Sequence, residues 1–278
     1  MKSTKMLTIL ILTILNLTIQ LMAQDDQIDN LSFETAQIEE ARRVYFGIGV
    51  GYTGNFMFMN LDELNKTASQ FDCGDLKSPV FLNGIEGYIV SFVVPNLRVN
   101  IFSRWGATSV DKDVYLHSSI IDFGTDSLSV KRSVELSLSY TGLSFDYAFL
   151  PVKSLAILPG IAGGYGNYML EAYQGNNYDW QNIPKSLSTS YPNLSGLSGI
   201  DVLNRIETNF WFVEAELNIE YALTDYLTVR ANGSYVYSFM SGGNWKFNKN
   251  ASLSGVPADI NANGYRVQFG VFLGVFNY

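Results

Sequence analysis

The sequence contains one cysteine and one histidine in 278 residues, and its basic side chains are outnumbered by acidic ones, 18 against 26. A lone Cys73 leaves no partner for an intrachain disulfide and no thiolate set for a metal. The acidic balance argues against nucleic acid as a partner, because a phosphate backbone needs basic charge to meet it. Long apolar runs are also missing beyond residue 21. No later stretch reaches the roughly 20 residues of a spanning helix, so any crossing of a membrane has to be made by strands.

The start of the chain carries Lys2 and Lys5, an apolar run from Met6 to Leu21, and then Met22 and Ala23. This reads as a secretory signal peptide over residues 1–23, cut after Ala23. Gln24, Asp25 and Asp26 follow where a helical anchor would show a basic flank, and the cut carries no cysteine for a lipid. Without Lys2 and Lys5 the chain has 16 basic against 26 acidic residues, a charge of −10. Residues 24–43, with Asp25, Asp26, Asp29, Glu34, Glu39 and Glu40, read as an acidic, solvated periplasmic segment. A short helix near 35–43 is the alternative.

From Val44 the period changes to two. Phe46, Ile48, Val50 and Tyr52 alternate with Gly47, Gly49, Gly51 and Thr53, as in a narrow barrel with bulk outside and small residues inside. The same grammar predicts eight strands, near 44–59, 80–94, 97–109, 132–149, 155–173, 206–222, 226–241 and 264–278. Short turns at Pro95-Asn96, 151–154 and Thr224-Asp225 alternate with long polar connections at 60–79, 110–131, 174–205 and 242–263. The expected fold is therefore all-β: an eight-stranded antiparallel transmembrane β-barrel over residues 44–278, with short periplasmic turns and long extracellular loops.

Single-parity series assign the faces. Leu97, Val99, Ile101 and Trp105, the alternate residues Trp211 to Tyr221, and Leu227 to Tyr237 are expected toward lipid. So are Val134, Leu136, Leu138 and Tyr140. The complementary parities place Arg98, Arg104, Glu135, Glu214, Glu216, Glu220, Arg230 and Arg266 in the lumen, as a salt-bridged plug that leaves no open pore. A turn at 224–226 sets Glu220 opposite Arg230, Asn218 opposite Asn232 and Glu216 opposite Ser234. In 80–94 the parities of Asn83 with Gly87 and of Gly84 with Glu86 conflict, which predicts either a bulge or an error in the assigned register. Phe272 and Phe276 share the parity of Arg266 without an evident reason.

On the motifs Gly47-Ile48-Gly49-Val50-Gly51-Tyr52 and Phe269-Gly270-Val271-Phe272-Leu273-Gly274, the chain resembles the PorT-like and OmpA/OmpX-like small outer-membrane barrels of Bacteroidetes. That resemblance implies an integral component of the cell outer membrane and carries over no catalytic residue. A monomer in outer-membrane lipid is expected, with no cofactor and no metal, since the i, i+2 spacing of Glu214, Glu216 and Glu220 follows from strand parity. The resemblance also implies a scaffold whose surface loops meet envelope or secretion proteins. Tyr178, Trp180 and Tyr191 in the 174–205 loop are the candidate contacts, since exposed aromatics anchor interfaces.

Two rival readings remain. His117 and Ser119 have the His-x-Ser spacing of small barrels that deacylate lipid A, with Ile120 where that family has Asn, and a His so placed draws the Ser proton. Lateral transport of a small hydrophobic ligand would need an opening in the wall near Pro159, which lacks a ladder donor.

Overall fold

The computed structural model describes residues 45–116, 128–175, 202–240 and 245–277. The expected signal peptide and acidic segment, His117, Ser119, Tyr178, Trp180 and Tyr191 lie outside these residues. Within them are eleven strands and a helix: β1 Phe46–Met59, α1 Asp62–Gln70, β2 Val80–Val90, β3 Leu97–Leu116, β4 Leu128–Tyr147, β5 Phe149–Val152, β6 Leu155–Gly175, β7 Val202–Thr224, β8 Leu227–Phe239, β9 Lys246–Phe247, β10 Ala251–Ser252 and β11 Gly264–Asn277.

Eight of the strands close a ring. The antiparallel order β7-β8-β11-β1-β2-β3-β4-β6 returns to β7 through the β6–β7 pairing. Closure removes the free edges through which a flat sheet of this length would associate. β5, β9 and β10 are short additions at the rims. The register of β7 with β8 sets Glu220 opposite Arg230, Asn218 opposite Asn232 and Glu216 opposite Ser234, as the turn chemistry requires.

Polarity inverts along the longest strands. On β7 the outward residues Trp211, Val213, Ala215, Leu217, Ile219 and Tyr221 form an exposed apolar stripe, and beyond Trp211 the same face carries Asn209, Glu207 and Arg205. On β4 the outward Leu143, Phe145 and Tyr147 give way to Thr141, Ser139, Ser137 and Glu135. On β3, Ile101 and Trp105 give way to Ser109, Asp111 and Asp113. The changeover is ringed by outward aromatics: Trp105, Tyr165 edge-on to Trp211 at 5.4 Å, Tyr235 edge-on to Tyr265 at 5.0 Å, and Phe56 edge-on to Phe81 at 5.4 Å.

The inward face does the reverse. Between the turns and the aromatic ring it is charged; beyond it, Met57, Leu82, Val134, Leu136, Leu138, Tyr168, Leu170, Phe210 and Trp245 form a buried apolar cluster. Phe102, Tyr140 and Phe212, with ring centroids 5.1 to 6.4 Å apart, lie within that cluster on the lumen wall. Helix α1 adds Leu64 and Ala68 to the same cluster, and Leu61 just before it does likewise. Its start is held by Asn60 Oδ1, which accepts from the Asp62 amide at 2.9 Å. Asn65 ties its middle to Leu76, donating to the carbonyl at 3.2 Å and accepting from the amide at 2.8 Å. At the turn end a second cluster, Tyr45, Val90, Ala148, Ala156 and Leu158, packs inside.

Three expectations change, and the shared parity of Phe272 and Phe276 with Arg266 finds its reason. Val134, Leu136, Leu138 and Tyr140 point inward, and Glu135 lies half-buried on the outer face, hydrogen-bonded by Ser137 at 3.0 Å rather than placed in the lumen. These apolar residues sit above the aromatic ring, where the interior is an ordinary hydrophobic core and the exterior is polar. β2 has no bulge: it pairs without interruption on both sides, with Leu82, Gly84, Glu86 and Tyr88 inward. The 110–131 connection is largely strand, extending the β3–β4 hairpin to Leu116 and Leu128. Phe272 and Phe276 turn inward against Tyr88, at 5.6 and 6.2 Å. Gly49 and Gly51 of β1 leave the room: a methyl group on Gly51 would lie 2.5 Å from the Phe272 ring.

The inverted assignment of β4 has a direct check. Leu136→Ala, which opens a cavity in the buried cluster, is expected to cost about 2–5 kcal/mol in equilibrium urea unfolding in detergent micelles. Ser137→Ala, one residue away on the outer face, is expected to stay within about 0.5 kcal/mol. Equal effects would return Leu136 to the outside.

Candidate functional site

The lumen between the two apolar clusters holds the densest arrangement of functional groups among the described residues. Strand pairing delivers them from β2, β3, β4, β7, β8 and β11, each on its inward parity. Four guanidiniums, Arg98, Arg104, Arg230 and Arg266, meet five carboxylates, Glu86, Asp146, Glu214, Glu216 and Glu220, all buried.

One half of the network centres on Glu220. Its carboxylate accepts from Arg230 Nε at 2.5 Å, from Arg98 Nη1 and from the Tyr45 hydroxyl at 2.8 Å. Arg98 also donates through Nε and Nη2 to Asp146 Oδ2, at 2.9 and 2.6 Å, and Asn100 donates to the same oxygen at 2.6 Å. Arg230 reaches across to Glu86 through Nη1. The other half centres on Glu214. Arg266 Nε donates to it at 2.8 Å and Arg104 Nη1 at 3.0 Å. Arg266 also donates to Asn55 Oδ1 and Asn232 Oδ1, each at 2.8 Å, and lies 3.6 Å from Glu216. Gln268 joins the halves, accepting from Arg104 at 3.4 Å and donating to Glu86 at 3.4 Å.

Aromatic faces complete the cradle. Arg98 and Arg230 lie over Tyr88 at 4.8 and 4.9 Å, Arg230 lies over Phe272 at 3.9 Å, and Arg104 over Phe102 at 3.8 Å. Planar, weakly hydrated guanidinium suits both the stacking and the forked contacts.

Seven of the eight predicted lumen residues are thus brought together, and Glu135 is not. Sequence reasoning missed Asp146, Glu86 and Tyr45 as members. Asp146 shares the parity of Leu138 and Tyr140, so assigning those outward hid it; Glu86 fell in the strand with conflicting parity. Chemically the arrangement orders strands and excludes solvent. Among the described residues, apolar side chains pack above and below it. No group of three or more metal-ligating side chains is found among the described residues. Cys73, in the α1–β2 connection, is buried, which pushes its thiol above the usual range.

The wall has no gap at β6. Its pairing with β4 runs unbroken from Lys131↔Gly175 to Asp146↔Gly160, and with β7 from Leu155↔Tyr221 to Gln174↔Val202. Pro159 faces Leu217 inside that continuous ladder, so the lateral opening required for ligand transport is absent among the described residues.

No family model matches the chain, and no curated protein matches it. Among solved structures, a major outer membrane protein from Thermus thermophilus is similar at TM-score 0.43 and 10% identity, over 82% of this chain and 99% of that one. The attachment invasion locus protein Ail of Yersinia pestis matches at TM-score 0.31 and 8% identity, over 85% and 99%. OprG of Pseudomonas aeruginosa matches at TM-score 0.31 and 11% identity, over 85% and 96%. At these values no residue role transfers from any of them, and closure of the barrel is read from its own strand pairing.

Glu220 serves two guanidiniums and a phenol, so its loss strands buried charge. Glu220→Ala is expected to cost about 3–5 kcal/mol in urea unfolding in micelles, whereas removing Arg98 and Glu220 together with apolar replacements costs less than the two single changes added. Additive losses would mean that the pair is not coupled. Glu135→Ala, outside the network, is expected to change little.

Proposed function

We propose that the chain is an integral protein of the cell outer membrane whose filled, rigid barrel serves as a scaffold, presenting its loop-side segments to a partner in an envelope or secretion complex. The observation that carries the membrane reading is the inversion of both strand faces at one aromatic ring. From Trp211 to Tyr221, β7 presents six alternate lipid-compatible residues over a span of eleven, the length of a tilted membrane-spanning strand of about 9–11 residues. Beyond the ring the same strand reads as part of a water-soluble sheet. Tyr and Trp at the changeover suit the interface between hydrocarbon and water.

What supports a scaffold over a pore is the occupied lumen, since an eight-stranded ring has room only for side chains. The PorT-like affiliation suggested by residues 47–52 and 269–274 belongs to the same proposal, as do export by residues 1–23, a monomeric state, and contact through Tyr178, Trp180 and Tyr191. The loop-side ends of β6 and β7 carry the segment that holds those aromatics. The lipid A deacylase reading through His117 and Ser119 has no further observation in its favour.

Two measurements test the proposal. Val213→Arg or Leu217→Arg is expected to lower the stability of the bilayer-inserted barrel by about 2–4 kcal/mol, against a small effect for Ser109→Arg above the ring. Equal tolerance at all three sites would remove the membrane reading. Replacing residues 178–191 with a Gly/Ser linker is expected to abolish co-purification of an envelope protein after mild detergent extraction, without loss of the barrel. Purification of the unaltered protein free of any envelope protein would end the scaffold reading while leaving the membrane one intact.

A further inference from the structure

We propose that the loop-side cap is a binding site for a small, uncharged, mainly apolar molecule that carries one hydrogen-bond acceptor. The site is a hollow of about 210 Å³ between four separate pieces of chain. Leu64 comes from α1, Leu170 from β6, Ile206 from β7, and Trp245, Val256 and Ile260 from the connection between β8 and β11. No charged side chain among the described residues lines it. A ligand ion placed there would lose its hydration without compensation, which restricts the site to neutral molecules.

Tyr168 supplies the buried polar feature; Ser254 also lines the hollow but is exposed to solvent. Tyr168 lines the hollow with its ring edge-on to Trp245 at 6.0 Å, it is 1% exposed, and its hydroxyl has no hydrogen-bond partner among the described residues. Leaving a hydroxyl buried and unpaired costs about 1–3 kcal/mol, and a ligand acceptor would recover much of that. Size follows from comparison: an apolar cavity of about 150 Å³ takes benzene, so this hollow suits a single ring with a short substituent or a compact aliphatic of similar bulk.

The other hollows near the cap have different chemistry. One, of about 160 Å³ beside Phe71, is lined by Arg132, Gln174 and Asn204. Another is a wide groove outside α1 edged by Asp62, Glu63, Asp75 and Asp259. Only the Tyr168 hollow, of these three, combines a mainly apolar wall with a buried unpaired donor. Phe102, Tyr140 and Phe212 lie between it and the charged lumen, and the ladders on both sides of β6 are unbroken. The molecule is therefore captured at the loop side and does not pass through the barrel. This goes beyond the scaffold reading and does not depend on the identity of any protein partner.

The test uses the full mature protein in lipid nanodiscs, with fluorine NMR titration of fluorobenzene and of 4-fluoroacetophenone, whose carbonyl is an acceptor. Empty nanodiscs correct for partition into lipid. Saturable binding of both probes is expected, tighter for 4-fluoroacetophenone. Tyr168→Phe is expected to weaken 4-fluoroacetophenone about 5- to 10-fold and to leave fluorobenzene within about twofold. Val256→Trp or, should that variant not fold, Leu253→Trp fills the hollow and is expected to remove saturable binding of both. Signals no different from empty nanodiscs, or binding that survives the filling variant, would overturn the site. Equal affinity of 4-fluoroacetophenone for the Tyr168→Phe variant would overturn the role of the hydroxyl.

Discussion

Each long strand of this barrel has to satisfy two different media on each of its two faces. A β-strand offers only one parity per face, so a change of surroundings along its length forces the polarity on that face to change with it. In β4 the inward parity runs from Asp146 and Ser144 to Tyr140, Leu138 and Leu136, and the outward parity from Tyr147 and Phe145 to Ser139 and Glu135. Both reversals fall at the same height, where Trp105, Tyr165 and Trp211 stand on the outside. A soluble barrel would keep its apolar residues inside throughout, and a fully immersed one would keep them outside.

The buried charge follows from the same constraint. Where the outer face is apolar, the inner face carries the polar residues, and these can be buried only if they satisfy one another. Arg98, Arg230 and Glu220 do so in one group, and Arg104, Arg266 and Glu214 in another, each guanidinium packed on an aromatic face or held by a forked hydrogen bond. Isolated charges in such surroundings would cost several kcal/mol each. The network is thus a device for closing the lumen and fixing register.

Much of this was legible in the sequence, because period-two alternation and turn spacing are local. The eight wall strands, the short turns, the Glu220 to Arg230 register and seven of the lumen charges could be read directly, whereas the length of the β3–β4 hairpin could not. The orientation of β4 could not: Val134 to Tyr140 look equally suited to lipid and to a protein core, and which of the two they meet depends on how far the strand rises above the ring. Glu86 was hidden by Asn83 and Gly87, which are small or polar yet sit on the outward parity. The inward Phe272 and Phe276 make sense only once Gly49 and Gly51 are seen across the pair. Helix α1 lies in a connection that reads as polar, and the three buried residues Leu61, Leu64 and Ala68 are too few to announce a cap.

The position of the aromatic boundary is the most direct point of test. Cys73 would be replaced by Ser and a nitroxide label placed in turn at the outward positions 207, 209, 213, 215, 217 and 219 of β7 in a reconstituted bilayer, and collision with oxygen compared with collision with a water-soluble nickel complex. The account predicts preferential contact with the nickel complex at 207 and 209 and with oxygen from 213 to 219, the change falling at Trp211. Water-like accessibility along the whole series would contradict it.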